Sequence, residues 1–371
     1  MKKKNKTLKR VLIAIAAVLG TIVVAFLGYF LYVLIAFYRL PDETVLKAEN
    51  ASEETVSVNE QHSILSFNIG FGAYEDDYSF FMDGGHESWA WSKDRLDKNL
   101  KAIASFVKEE NADFVLLQEV DIDGTRTYHV DESKYFTEAL QETYGHTFAQ
   151  NYDSPFLMYP FYQPHGANKA GIMTFSKAAI REAVRYSLPI EESLYKLLDL
   201  DRCYMVDRIP TEDGKELVLL NFHLSAYTSD GKIADEQVKL ISEFMQNEYE
   251  KGNYVIAGGD FNKDLTGDAT NDFGTLPLED YTWAQPFPSK YLEGKNLTLV
   301  VPYDPETKIA SCRNPDAPWT GDPATQFVIT IDGFLVSDNV EVRESEVCDL
   351  NFKYSDHNPV RMVFTLKTSE E

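Results

Sequence analysis

Short apolar runs recur along this chain, and each ends on side chains able to hold a cation, move a proton or donate to an anion. Tyr254-Val255-Ile256-Ala257 leads into Gly258-Gly259-Asp260-Phe261-Asn262, and Ser355-Asp356-His357-Asn358-Pro359 leads into Val360-Arg361-Met362-Val363-Phe364. Runs this short, bounded by glycine or proline, read as buried strands. Open sheets place their chemistry at strand ends, because loops held by a rigid sheet converge on a ligand. Carboxylate, amide and imidazole delivered there suit a hard divalent cation and a phosphate ester.

The same reading predicts strands at 62–68, 113–119, 171–175, 203–209, 216–222, 254–257, 327–336 and 360–366. Ser92 is placed to cap a helix whose Leu96, Leu100, Ile103 and Val107 fall at helical spacing through Glu110. A second helix is expected from about Ile233 to Glu250. Helices alternating with strands predict α/β layers. Strands separated only by turns, as at Thr211-Glu212-Asp213-Gly214, predict mixed sheets. Tyr74 to Trp91, rich in Asp, Gly and aromatics, is expected to be a long loop. No repeat or low-complexity tract is visible, which excludes a solenoid. Residues 61–371 therefore read as one domain.

The N-terminus stands apart. Residues 1–10 are basic, and Val11 to Phe37 carry no charge. About 20 apolar residues span a bilayer, so this stretch is long enough with some tilt. A signal peptide has a shorter apolar core and a small-residue cleavage site. Tyr29, Tyr32 and Tyr38 sit toward the far end like an aromatic belt. The expectation is a cytoplasmic tail at 1–10, a retained transmembrane helix at 11–38 and a polar linker at 39–60. Six positive side chains precede the span and Arg39 alone closely follows it, which predicts the N-terminus inside and the domain outside the cytoplasm.

Charge and cysteine content exclude some partners. The first 40 residues hold seven of the 35 Lys and Arg and no Asp or Glu, so the remainder carries 28 positive and 59 negative side chains, a net charge of −31. Such a surface disfavours nonspecific nucleic-acid binding, although a metal ion and a local basic patch reverse the field in some nuclease clefts. Cys203, Cys312 and Cys348 are three, without CxxC spacing, which suits neither a disulfide framework nor a zinc site. They are expected as buried apolar side chains, with one disulfide left open outside the cell.

Six strand ends carry polar groups: Asn68, Gln118-Glu119, His223, Asp260 with Asn262, Asp332, and Asp356-His357. Singly, each has a bland explanation as a turn residue, a solvated end-of-strand charge or a satisfied buried histidine. Jointly they resemble an ordered motif set. Ser66-Phe67-Asn68-Ile69, Leu117-Gln118-Glu119-Val120, Asn221-Phe222-His223-Leu224, Gly259-Asp260-Phe261-Asn262, Ile331-Asp332-Gly333-Phe334 and Ser355-Asp356-His357-Asn358-Pro359 are similar, in order, to those of the endonuclease/exonuclease/phosphatase superfamily. The resemblance implies a four-layer α/β sandwich, with two mixed β-sheets packed face to face and helices outside. It also implies metal-dependent hydrolysis of phosphate esters with Mg²⁺ or Mn²⁺.

The resemblance implies roles as well. Glu119 would be the main metal ligand with Asn68 beside it, and Asp356 would touch the metal or a second site. Asp260 would orient and deprotonate the attacking water, and Asn262 would hold that water or a phosphate oxygen. His357 would donate to a non-bridging oxygen, its tautomer fixed by Asp332. His223 would bind the phosphate or assist the leaving oxygen. Two positions depart from relatives: Gly333 stands where many carry an aromatic residue, and Gly258 stands where the 5-phosphatases carry Trp.

Asn168, Arg202 and Arg313 are candidate substrate contacts, with a surface salt bridge an equal reading for Arg202. Tyr152 to Tyr162 is unusually aromatic, and core packing is the expectation for such a cluster. The other reading is a wall for a lipid or base, or a loop touching the membrane. The stretch 263–330, with Trp283 and Trp319, is expected to frame the cleft. The function that emerges is a monomeric phosphodiesterase or phosphatase acting on lipid headgroups or small extracellular phosphoesters. An extracellular nuclease and a catalytically silent binding module are the alternatives.

Overall fold

The protein is described here by a computed structural model that places residues 2–191, 201–226 and 232–368. A long apolar helix, α1 (Lys2–Ala36), leads into strands β1 (Thr44–Val45) and β2 (Gln61–Asn68), helix α2 (Lys93–Glu110) and strand β3 (Phe114–Gly124). Helix α3 (Ser133–Leu140) precedes β4 (Gly145–Asp153), β5 (Asn168–Ser176), β6 (Glu182–Ser187), β7 (Cys203–Pro210) and β8 (Glu216–His223). Helix α4 (Lys232–Glu250), β9 (Tyr254–Asp260) and α5 (Ala269–Phe273) follow. The chain closes with β10 (Leu297–Val300), β11 (Cys312–Arg313), β12 (Val328–Ile329), β13 (Asp332–Ser337), β14 (Val340–Val347) and β15 (Val360–Leu366).

Two large sheets organise the domain. One runs β1-β6-β7-β8-β9-β13-β10 and the other β14-β15-β2-β3-β5-β4. Both are mixed, since β8 pairs with β9 and β2 with β3 in parallel while the other pairings are antiparallel. Strand alternation sorts side chains between layers. In β9, Tyr254 and Ile256 point between the sheets with Ile64, Phe114 and Met362, whereas Val255 and Ala257 face the layer of α4 with Val238 and Ile241. On the other side, Leu65 and Phe67 pack under Leu96, Leu100 and Ile103 of α2. Helix, sheet, sheet and helix thus form the expected four-layer α/β sandwich.

The Ser92 hydroxyl accepts from the Arg95 amide, and Asn111 ends α2 in the left-handed conformation. Two glycines are forced. A Cβ on Gly259 (φ +147°) would lie 2.0 Å from the Phe222 carbonyl oxygen, and one on Gly258 would strike Phe334 and Leu116. Gly333 is equally confined, with Leu265 and the Val300 carbonyl within 3 Å of an added Cβ.

Two expectations require correction. Segment 39–60 is not a free linker. Thr44 and Val45 pair with Arg185 and Val184, Glu49 bridges His146, and Val56 bridges Thr211 with its side chain buried between the sheets. Leu46 and Val56 supply the apolar surface that draws this acidic stretch onto the domain. The aromatic stretch 152–162 is interior only in part: Tyr152 and Leu157 are buried, whereas Phe156, Met158, Tyr159, Phe161 and Tyr162 are exposed. The three cysteines are free, two buried and Cys348 half-buried. Of the unit ending at 371, the last three residues lie outside those described.

Asp207 of β7 is wholly buried, its Oδ1 accepting from the Thr147 hydroxyl at 2.9 Å. Burial pushes its carboxyl up to about 7. An unfolded Asp titrates near 3.9, so between about pH 4 and 7 the native chain holds a proton the unfolded chain has lost. Stability therefore falls as pH rises through that window, by up to about 4 kcal/mol for this group. Asp207→Asn is expected to melt higher than the parent at pH 8, with the gap closing at pH 4.5. Parallel thermal unfolding at the two pH values checks this, and a pH-independent gap would count against it.

Candidate active site

All the strand-end groups meet on one edge of the sandwich. The parallel pair β2–β3 sets Asn68 opposite Gln118, and β8–β9 sets His223 opposite Asp260. Antiparallel β13 begins at Asp332, opposite Asp260. A register shift in β3 between Leu117 and Val120 places Glu119 at φ +57°, and this bulge turns its carboxylate toward the edge. Asn262 also has a left-handed backbone, φ +49°. Its amide N–H donates to Asp260 Oδ1 at 2.8 Å and its side chain donates to the Leu224 carbonyl at 2.7 Å.

Glu119, His223, Asp260, Asn262, Asp356 and His357 line a cleft of about 150 Å³, walled by Phe71, Tyr74, Phe80, Met82 and Trp283, with Asn68 and Asp332 hydrogen-bonded to its carboxylates and imidazole. Asn68 ties two carboxylates together: Nδ2 lies 3.2 Å from Glu119 Oε1 and 3.1 Å from Asp260 Oδ2. His357 Nδ1 lies 2.8 Å from Asp332 Oδ2, which also accepts the Ser311 hydroxyl at 2.7 Å. The other nitrogen, Nε2, faces Asp260 Oδ2 at 3.8 Å. His223 Nε2 stands 3.5 Å from the same oxygen, and its Nδ1 stands 4.0 Å from Glu119 Oε1 with no hydrogen-bond partner among the described residues.

Electrostatics divide the labour. Burial and the Asp332 charge push Asp260 up to about 7. Burial, then the Asp356 charge, raises Glu119, and burial raises Asp356 against the pull of His357 and Arg313. Burial disfavours the His357 imidazolium, yet Asp332, Cys312 and Asp356 outweigh it and lift His357 well above its ordinary value. Burial, then Arg202 and His357, hold His223 well below it. One imidazole is therefore charged and the other neutral, so His357 donates from both ring nitrogens and His223 from only one.

The donor set fits a hard divalent cation. Half-buried Glu119 lies close enough to buried Asp356 for that charge to raise its carboxyl, a repulsion a cation relieves. Asp260, Asp332 and His357 also bring ligand-type atoms within 4.8 Å of one another. The near oxygen of Asp332 already takes two hydrogen bonds, which makes that trio a hydrogen-bonded relay rather than a cage. Asp332→Asn is expected to lower the His357 titration, followed by imidazole NMR. An unmoved titration would show that Asp332 does not hold the proton there.

Residues 65–357 match the endonuclease/exonuclease/phosphatase family. The chain belongs to this family. Its members are phosphoester hydrolases, and the family typically works with a divalent metal. The fold is similar to an endonuclease/exonuclease/phosphatase from Beutenbergia cavernae (18% identity, TM-score 0.55, 83% of this chain and 72% of that one). It is also similar to ANGEL2, a 2',3'-cyclic phosphatase (16%, 0.51, 89% and 99%), and to the human Nocturnin catalytic domain with bound sulfate (15%, 0.51, 84% and 95%). At such identities the likeness is one of fold. A comparison of the sequence with curated proteins finds no match.

Within this family member, the substrate candidates fare unequally. Arg202 is buried at the cleft, with Nη1 3.4 Å from the His223 carbonyl, so it is no surface salt bridge. Arg313 reaches the wall, but its Nη groups donate to the Ala317, Glu75 and Tyr78 carbonyls, pinning two loops together. Asn168 does not line the cleft. Its Oδ1 accepts from the Arg126 amide and its Nδ2 donates to the His165 carbonyl, which fixes the neighbouring backbone instead. Trp283 frames the cleft as expected, whereas Trp319 packs on Phe352 away from it.

Sequence reasoning passed over Arg126, Tyr74 and Ser311. Arg126 lines the cleft, paired with buried Asp121 at 2.8 Å and lying over the Phe71 ring at 3.8 Å. Its only signal was an arginine shortly after the Glu119 strand. Ser311 carried none, since it meets Asp332 only through tertiary packing.

Proposed function

We propose that this chain is a membrane-anchored, extracytoplasmic phosphoester hydrolase that uses Mg²⁺ or Mn²⁺. The observation that carries the reading is the meeting of Glu119, Asp260 and His357 in one buried cleft. Glu119 and Asp356, with Asn68 beside them, would hold the divalent cation, which when bound would supply positive charge to the phosphate oxygens. Asp260, aligned by Asn68 and the Asn262 amide, takes a proton from the attacking water. His357, kept charged by Asp332, donates from Nε2 to a non-bridging oxygen as charge builds there. Neutral His223 donates to the phosphate or the leaving oxygen, and Arg202 adds positive charge behind it.

The uncharged N-terminal helix, long enough to cross a bilayer, supports anchorage, and its basic lead residues support an outside domain. The acidic surface favours a lipid headgroup or a small phosphoester over nucleic acid as substrate. The chain is proposed to act as a monomer. A panel of soluble and lipid phosphodiesters, phosphomonoesters and DNA tests the reading, on detergent-solubilised protein with Mg²⁺, Mn²⁺ or EDTA. Metal-dependent cleavage of a phosphodiester or monoester abolished by EDTA is expected. Turnover indifferent to EDTA, or confined to DNA, would overturn the reading.

A further inference from the structure

Beyond residue 40, nine described large apolar side chains are exposed, and five of them lie between Phe156 and Tyr162, with Phe161 at 82%. No charged residue occurs from Ser154 to Pro164, on a domain that is otherwise strongly acidic. An uncharged aromatic cluster of this kind marks a contact surface rather than a solvated loop.

Its neighbour indicates which contact. Tyr29 of α1 accepts from the Met158 amide at 3.0 Å and donates to the Phe156 carbonyl at 3.1 Å, and Tyr32 accepts from the Phe156 amide at 3.0 Å. Counting from Val11, a rise of about 1.5 Å per residue puts Tyr29 about 27 Å and Tyr32 about 32 Å along the uncharged helix. The hydrocarbon core of a bilayer is about 30 Å thick, so these two residues bracket its far boundary. The loop they hold therefore sits at that boundary. The helix exit also contacts the domain: Arg39 pairs with Asp201 at 2.5 Å and donates to the Leu188 carbonyl.

The loop continues into the cleft wall. Tyr159 meets Phe81 with ring centroids 5.8 Å apart, Phe81 meets His165 at 5.6 Å, and His165 lines the cleft with Phe80 and exposed Met82. We infer that residues 156–162 lie in the headgroup layer of the membrane beside α1 and hold the cleft mouth there, so that the substrate is a phosphodiester on a lipid headgroup. Aromatic side chains favour that layer, since their rings are apolar and their hydroxyls remain hydrated. The inference rests on the anchorage proposed above and deepens it by naming the substrate class.

The test uses the full chain in phosphatidylcholine–sphingomyelin vesicles, with Cys348→Ala as background. A fluorophore on Phe161→Cys is expected to be quenched by lipid-borne nitroxide and protected from aqueous iodide. A fluorophore on Val24→Cys, within α1, reports the anchor separately. Quenching at 24 with iodide access at 161 would overturn the inference while leaving the anchor standing; loss of quenching at 24 would overturn the anchor reading itself. In parallel, Tyr159→Ala/Phe161→Ala is expected to cut sphingomyelin hydrolysis about tenfold and leave a soluble nitrophenyl phosphodiester untouched. Equal loss on both substrates, or on neither, would refute delivery from the membrane.

Discussion

Asp260→Asn is expected to lower turnover about a thousandfold or more while sparing metal affinity and fold. The substitution keeps size and shape but removes the carboxylate assigned to accept the water's proton. Asp260 is buried, with one oxygen taking the Asn262 amide and the other the Asn68 side chain. An amide keeps the first contact and loses the second, a modest cost. That cost is offset because the native carboxylate is disfavoured by burial and by the Asp332 charge. The variant should therefore melt close to the parent, and it should bind Mn²⁺ with unchanged affinity by calorimetry. Rates on a soluble phosphodiester at saturating metal decide the matter. A variant that turns over normally would leave the water to be activated by another group, with His223, 3.5 Å away, the first to examine.

What the sequence revealed follows from which interactions are local. Strands such as Tyr254–Asp260 were legible because a sheet buried on both faces demands a continuous apolar run, and the glycines after it had to clear Phe222 and Phe334. The α2 helix was legible from its stripe and its Ser92 cap. Strands β4 and β14 were not anticipated: Gly145-His146-Thr147-Phe148 and Val342-Arg343-Glu344-Ser345 carry too much polar character for a buried run, since they form sheet edges. The linker reading failed because Thr44–Val45 becomes a strand only through its partner β6, a pairing across 140 residues that no local pattern encodes. The site divides along the same line. Residues at strand ends were visible as motifs, whereas Ser311 meets Asp332, and Arg126 meets the Phe71 ring, only through tertiary packing. Asn168 sits at a strand start, as Asp332 does, but the Arg126 amide in the turn after β3 claims its side chain first.

Glu119→Ala carries the second large expectation: metal affinity at least about a hundredfold weaker, and activity lost at ordinary metal concentrations. Loss of a partner that merely orients a ligand already costs about 10- to 100-fold, and Glu119 is assigned as a ligand itself. The fold should survive. Position 119 has a left-handed backbone whichever of the two residues occupies it, and alanine removes a half-buried charge that Asp356 repels. In the absence of metal the variant should therefore melt no lower than the parent. The difference appears on adding Mg²⁺: a ligand that binds only the native state raises the melting temperature in proportion to the logarithm of its saturation, so the parent should be stabilised and the variant should not. High Mn²⁺ should recover part of the activity, because Asp356 and Asn68 still face the cation site. If the melting temperature of the variant rises with Mg²⁺ as far as that of the parent, the cation lies elsewhere, and the Asp260–Asp332–His357 cluster becomes the place to look.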